Sequence, residues 1–250
     1  MAEGPIHQFE IHKIFSLGHI GGHEIAFTNS SAYMLGAVGL VSLLMVGGSA
    51  ARSIVPGRIQ SLAELTYEFV ANTLKSSVGE EGMKFFPLVF SIFTFILTAN
   101  LIGIVPFTFA VTSHLIITLA LALIVFLTVL LYGFYKNGLK FFKLFVPSGI
   151  PWFVIWLVTI IEVISFFSRP VSHSVRLFAN ILAGHITLKV FAGFIAGLGA
   201  LGAVGILGAT LPLAMTTALT GLELLVAFLQ AYVFAILTCI YLNDALHPGH

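Results

Sequence analysis

The sequence predicts an all-α membrane protein with about five transmembrane helices, one amphipathic surface helix, and a last pair of helices that form a long, steeply tilted hairpin. Three observations carry this expectation. Hydrophobic residues fill 58% of the 250 positions and charged residues only 8%, against about 25% charged in soluble domains. Mean hydropathy is +1.07. The apolar residues also gather into runs of the length a helix needs to cross about 30 Å of hydrocarbon, roughly 20 residues each. Such a chain has too little polar surface to cover itself, so lipid must cover it. Only short polar breaks separate the runs, which predicts a single integral membrane domain over residues 1–250 and no separate soluble domain.

Residues 1–29 read as a polar N-terminal tail with a structured edge. The tail mixes Glu3, Glu10, Glu24 and Lys13 with His7, His12, His19 and His23, and it lacks the basic start and apolar stretch of a signal peptide. Its four histidines share no common face, which favours a polar tail over a metal site. The first span covers 31–51 and is closed by Arg52, Pro56 and Arg58. A surface helix follows over 57–79, because Ile59, Leu62, Leu65, Phe69 and Thr73 recur at helical spacing with Glu64, Glu68 and Lys75 among them. The second span covers 87–111. The third covers 113–135 and is closed by Lys136, Lys140 and Lys143.

The remainder, 149–245, departs from the 20-residue pattern. Residues 150–194 are apolar for about 45 positions, twice the membrane thickness as one helix, so this segment must tilt steeply, bend or break. Pro170 removes a backbone donor in mid-run and marks the natural bend, with Ser168 and Ser172 at hand for the freed backbone groups. Gly193, Gly197, Gly199, Gly202, Gly205 and Gly208 then mark a turn, and the chain returns through 211–242. The single cysteine, Cys239, lies inside that return, so neither a disulfide framework nor a redox pair is indicated. Of the eleven Lys and Arg, Arg52, Arg58, Lys75, Lys84, Lys136, Lys140 and Lys143 fall in loops on one side, and Lys13 alone lies opposite, outside the apolar runs. The basic side is the cytoplasmic one. Five spans then leave the N-terminus outside and the C-terminus, with Asp244, His247 and His250, inside.

Ionisable groups at membrane depth cost roughly 2.5 to 3.5 kcal/mol each and mark pathways. The long fourth run holds Glu162, Arg169, His173, Arg176, His185 and Lys189, and the return helix holds Glu223. A step of seven returns to nearly the same direction on a helix, so Glu162, Arg169 and Arg176 form one stripe, with Ser165, Ser172, His173 and Asn180 beside it. A symmetric antiparallel hairpin centred near position 204 sets His185 beside Glu223 and brings Gln230 opposite residue 178, next to Arg176. An acid and an imidazole in contact suit proton handling. The guanidinium of Arg176 is suited instead to act as a fixed positive charge that holds a passing carboxylate ionised and blocks leakage between two aqueous inlets. Blander roles stay open at several positions. Arg169 fits a structural group near the bend, neutralised by Glu162 two turns away; Lys189 fits a headgroup-seeking lysine; His173 fits packing or path; Asn180 and Gln230 fit hydrogen bonds between helices or a polar path.

The segment 168–185, SRPVSHSVRLFANILAGH, resembles the signature of the a subunit of F-type ATP synthases, an R-L-F-x-N-x-x-A-G run that carries an essential arginine. The stretch 230–242, QAYVFAILTCIYL, is similar to that family's closing helix, and the likeness spans nearly the whole chain. The resemblance implies a non-catalytic, proton-translocating stator subunit whose Arg176 faces the rotor. Asn180, Gln230, His185 and Glu223 would line one half-channel, with Glu162 and Ser165 in the other and His173 beside them. It implies a ring of c subunits, peripheral-stalk b-type subunits, the rest of the synthase and membrane lipid as partners, a multi-pass place in the cell inner membrane, and neither a cofactor nor a nucleic-acid partner. Many bacterial members have glutamate after the A-G pair and histidine on the final helix, whereas this chain has His185 and Glu223, as mitochondrial and related alphaproteobacterial chains do. That exchange keeps the pair. It also favours H+ over sodium as the carried ion, because a hard cation wants oxygen ligands. No G-x-x-x-x-G-K-[ST] loop is present, so ATP chemistry falls to partner subunits. A secondary transporter would repeat its charged motif in the first half, which this chain does not do; a static scaffold would use its charges only as fixed pairs.

Overall fold

A computed structural model of the chain describes residues 10–20, 23–50, 53–105, 108–146 and 151–247; Glu3, His7, Arg52, Ile150 and His250 lie outside the described residues. A two-stranded antiparallel hairpin, β1 (Lys13–Ile20) and β2 (His23–Thr28), precedes six helices: α1 (Asn29–Ala50), α2 (Arg58–Val78), α3 (Phe86–Ile104), α4 (Leu115–Asn137), α5 (Ile155–Gly199) and α6 (Ala203–Leu246). Short 3-10 segments occupy Glu80–Phe85, Val111–Ser113 and Gly138–Phe145. Among the described residues, five stretches are long and apolar enough to cross a membrane: Asn29–Ala50, Glu80–Ile104, Leu115–Phe145, Ile155–Gly199 and Gly205–Leu246. The all-α membrane class holds, with the hairpin as an addition.

The hairpin replaces part of the expected polar tail. Phe15 stacks on Phe27 with ring centroids 4.9 Å apart. Asn29 ties the hairpin to α1: its Nδ2 donates to the Glu10 carbonyl at 3.1 Å, while its Oδ1 accepts the His12 N–H at 3.1 Å and the Ser30 N–H at 2.8 Å. One side-chain amide thus extends the strand ladder and satisfies the Ser30 N–H in the first turn of α1.

Helix α2 matches the expected surface helix closely. It begins after Gly57 and ends before Gly79, whose N–H donates to the Lys75 carbonyl at 3.0 Å and whose φ of 82° turns the chain out of the helix. Its inward face is Ala63, Val70, Ala71, Leu74 and Val78, whereas Ile59, Leu62 and Leu65 are exposed. The stripe visible in the sequence is therefore split: its first three residues face outward, whereas Phe69 and Thr73 are half-buried and Phe69 packs against the rings of Phe93 and Tyr232, each at 5.5 Å. Small residues set the inward contact: a Cβ added at Gly48 would stand 2.7 Å from the Ala63 Cβ, so α1 and α2 cross too closely for a larger residue.

Helix α3 ends earlier than the expected second span, because Val105 precedes Pro106 and a residue before proline is pushed out of the helical region. Helix α5 runs unbroken through Pro170 for 45 residues, about 68 Å at 1.5 Å per residue. Ser168 does not compensate the proline as expected: its Oγ donates to the Ser165 carbonyl at 2.8 Å, not to that of Phe166, which loses its helical donor at Pro170. The glycine-rich turn is also shorter than expected. Helix α5 includes Gly193, Gly197 and Gly199 and α6 includes Gly205 and Gly208, leaving a turn at 200–202 with Gly202 at a φ of 78°.

The chain packs as two compact units. One comprises the described residues up to Leu43 with Phe95–His114 and Leu177–Gln230; the other comprises Leu44–Thr94, Leu115–Arg176 and 231–247. The first buries Ile96, Ala99, Phe109, Leu177, Ile181 and Ala227. The second buries Leu74, Phe93, Val125, Phe141, Phe166 and Phe234. Within it a Cβ at Gly133 would overlap the Phe141 ring. Gly133→Val is therefore expected to expel that ring at a cost of about 1–3 kcal/mol, seen as a lower thermal midpoint of the assembled complex. An unchanged midpoint would mean that Phe141 has another seat.

Candidate functional site

In the first unit, α5 brings His185 and α6 brings Glu223 to one place. The His185 Nδ1 lies 3.7 Å from the Glu223 Oε1, and the two residues are 7% and 6% exposed. Glycine permits this approach, since a Cβ at Gly184 would sit 2.8 Å from that carboxylate oxygen. Helix α3 covers the pair with another glycine: a Cβ at Gly103 would stand 3.6 Å from the His185 Nε2 and 3.2 Å from the Ala110 Cβ. One turn earlier on α3, the buried Asn100 donates from Nδ2 to the carbonyl of Ala227 at 3.3 Å and accepts at Oδ1 from the Thr112 Oγ1 at 2.7 Å. Ala227 lies one helical turn beyond Glu223. The acid and imidazole thus sit among α3, the Val111–Ser113 turn, α5 and α6, and the carboxylate oxygens accept no hydrogen bond from any described residue. A carboxyl group held there beside an imidazole can pass a proton to it with little movement. Of the other residues expected in this half-channel, Asn180 is exposed and Gln230 half-buried; Lys189, expected to reach for lipid headgroups, is half-buried.

The sequence reading did not include Asn100, Thr112 or Gly103. Asn100 carried a signal, being an amide inside an apolar run. Its neighbours along the chain are apolar, and its partners are 12 and 127 positions away.

In the second unit, α5 carries Glu162, Ser165, Arg169, His173 and Arg176. Glu162 is half-buried and Ser165 exposed. Arg169 pairs with Asp244 of α6, Nη1 to Oδ2 at 2.9 Å, and its guanidinium lies 4.8 Å from the Tyr241 ring centroid and 5.4 Å from that of Phe166. Its neutralising partner is thus Asp244 rather than Glu162: seven residues along a helix is about 10 Å, too far for direct pairing. His173 is buried, stacked on Phe234 at 3.8 Å with its ring edge-on to Tyr241 at 5.8 Å. Thr118 and Ser174 hydroxyls meet at 3.1 Å and join α4 to α5. Arg176 differs from Arg169: it is exposed and makes no ion pair with a described residue.

The Arg169 pair is partly exposed, at 21% and 30% for the two side chains. Arg169→Met is expected to lower stability by about 1–3 kcal/mol, between the ranges for surface and buried pairs, and Asp244→Asn in the same chain is expected to restore part of the loss. Additive losses in that double-mutant cycle would show that the two charges do not interact.

The chain matches, over residues 31–243, the model of a family described as ATP synthase A chain. A protein of Afipia carboxidovorans named ATP synthase subunit a is 77% identical over 246 residues, covering 98% of this chain and 99% of that one. A Rhodopseudomonas palustris protein of the same name is 72% identical over 250 residues, the whole length of both. One from Nitrobacter winogradskyi, again with that name, is 70% identical over 246 residues, 98% and 99% of the two chains.

Proposed function

The chain belongs to the ATP synthase A chain family and is a non-catalytic, multi-pass membrane-sector subunit that works in a complex with other ATP synthase subunits, and from that premise we propose that α5 and α6 carry two offset proton half-channels serving a ring of c subunits. The observation that supports this most is the buried contact between His185 and Glu223. A proton arrives from the outer side at Glu223 and His185, with Asn180 and Gln230 beside the route, and neutralises a carboxylate on the ring. The neutral carboxyl can then turn into lipid, where an ionised one would be too costly. After rotation the proton leaves past Ser165 and Glu162, with His173 beside them, to the cytoplasm. Arg176 supplies the fixed charge that keeps an unloaded ring carboxylate ionised between the two inlets. The carried ion is H+.

Helices of about 68 and 66 Å cannot stand upright in about 30 Å of hydrocarbon. We assign them a steep tilt along the wall of the ring, within one integral membrane domain that includes the tail and places α2 at the membrane surface. The basic loops put the N-terminus in the periplasm and the C-terminus in the cytoplasm of an inner membrane, and b-type stalk subunits hold the chain against the rotor. Liposome reconstitution tests the reading. With the c subunits and the rest of the membrane sector the chain should conduct protons, and alone it should not. Transport by the chain alone would indicate a self-contained transporter, and no conductance in either preparation would leave a scaffold.

A further inference from the structure

The end of α4 carries a cationic edge that the proton path does not use. Gly138, at a φ of 53°, turns the chain from α4 into the 3-10 segment Gly138–Phe145. Side chains three apart eclipse one another in a 3-10 helix, so Lys140 and Lys143 form one ridge and Leu139 and Phe142 an adjacent one. The second ridge is apolar yet open, with Leu139 85% and Phe142 52% exposed. The segment is firmly seated. Phe141 is fully buried on Gly133, near the rings of Phe134 at 4.7 Å and Phe166 at 6.2 Å. Asn137 Nδ2 donates to the Ala245 carbonyl at 2.7 Å. Lys136 is committed to Glu81, whereas Lys140 and Lys143 meet no acid among the described residues. With Leu139, Phe142 and Val146 they line a shallow open groove of about 370 Å³.

This edge closes a stretch long and apolar enough to cross a membrane, Leu115–Phe145, and basic side chains at the end of such a stretch suit lipid phosphates. A free phosphate would use the two ammonium groups but not the apolar ridge beside them. A lipid uses both, because its phosphate can sit between Lys140 and Lys143 while its chains run along Leu139 and Phe142. We propose that Lys140 and Lys143, with Leu139, Phe142 and Val146, bind an anionic phospholipid.

The test uses the assembled complex in vesicles that hold a trace of photoactivatable lipid, either phosphatidylglycerol or phosphatidylcholine, and reads labelling of the 138–146 peptide by mass spectrometry. Phosphatidylglycerol should label it more strongly than phosphatidylcholine by about 25-fold, from about fivefold for each of the two lysines. Lys140→Gln with Lys143→Gln should bring labelling down to the choline level while assembly and ATP-driven pumping persist, and the double arginine variant should keep the preference. Equal labelling by the two lipids, or unchanged labelling in the glutamine variant, would overturn the proposal. Displacement of the label by excess inorganic phosphate would also overturn it, since the site would then be one for the free anion.

Discussion

Replacing Arg176 by alanine is expected to abolish ATP-driven proton pumping by the complex while leaving its assembly intact. The reasoning starts from cost. A guanidinium at membrane depth is unfavourable by roughly 2.5 to 3.5 kcal/mol even on lenient insertion scales, and Arg176 is exposed with no ion pair to a described residue. No ion pair among the described residues holds it, unlike Arg169, which is held by Asp244, Tyr241 and Phe166. In the proposed mechanism this charge has its partner outside the chain. A ring carboxylate that must stay ionised while it passes is that partner, and alanine could not hold it so. Pumping should fall to background in vesicles whose content of the subunit is normal, as measured by quenching of a pH-sensitive dye. Normal pumping would make Arg176 structural.

Glu223→Gln is expected to slow pumping by roughly a hundredfold, the lower range for losing a positioned proton-transfer group. Glutamine keeps the size of the side chain and so respects the close approach of Gly184, where a Cβ would already stand 2.8 Å from the carboxylate oxygen. The change isolates the titratable function. His185→Glu alone places two acids together at a separation now 3.7 Å and should also slow pumping, because both cannot ionise comfortably. His185→Glu with Glu223→His restores one acid and one imidazole and should recover much of the rate. If the double exchange pumps no better than the worse single variant, identity at each position matters beyond the pair, and simple exchange between the two groups is the wrong picture.

The parts of this molecule that were legible in the sequence are those written in local chemistry. Gly57 and Gly79 bracket α2 where the periodic stripe begins and ends, and apolar run length locates the spans. The contact of His185 with Glu223 was expected from a symmetric hairpin centred near 204, and it forms although the turn lies at 200–202. The strands β1 and β2 were foreseen only as a structured edge of a polar tail, although Gly21 and Gly22 stand between two short runs, a known hairpin signal, since histidine and glutamate interrupt the apolar alternation. Contacts between distant helices were the least legible. Nothing near Arg169 in the chain points to Asp244, 75 positions on, and nothing near Asn100 points to Ala227. Those pairings depend on helix rotation, which packing of the whole bundle decides.

The division of labour between Arg176 and Glu223 is best tested by measuring passive proton flow and ATP-driven pumping in the same membranes for Arg176→Ala and Glu223→Gln. A fixed charge that separates two inlets and a group that carries the proton should fail differently. Arg176→Ala should lose pumping but keep or raise passive flow, whereas Glu223→Gln should lose both. Equal loss of passive flow in the two variants, with assembly intact, would contradict the account.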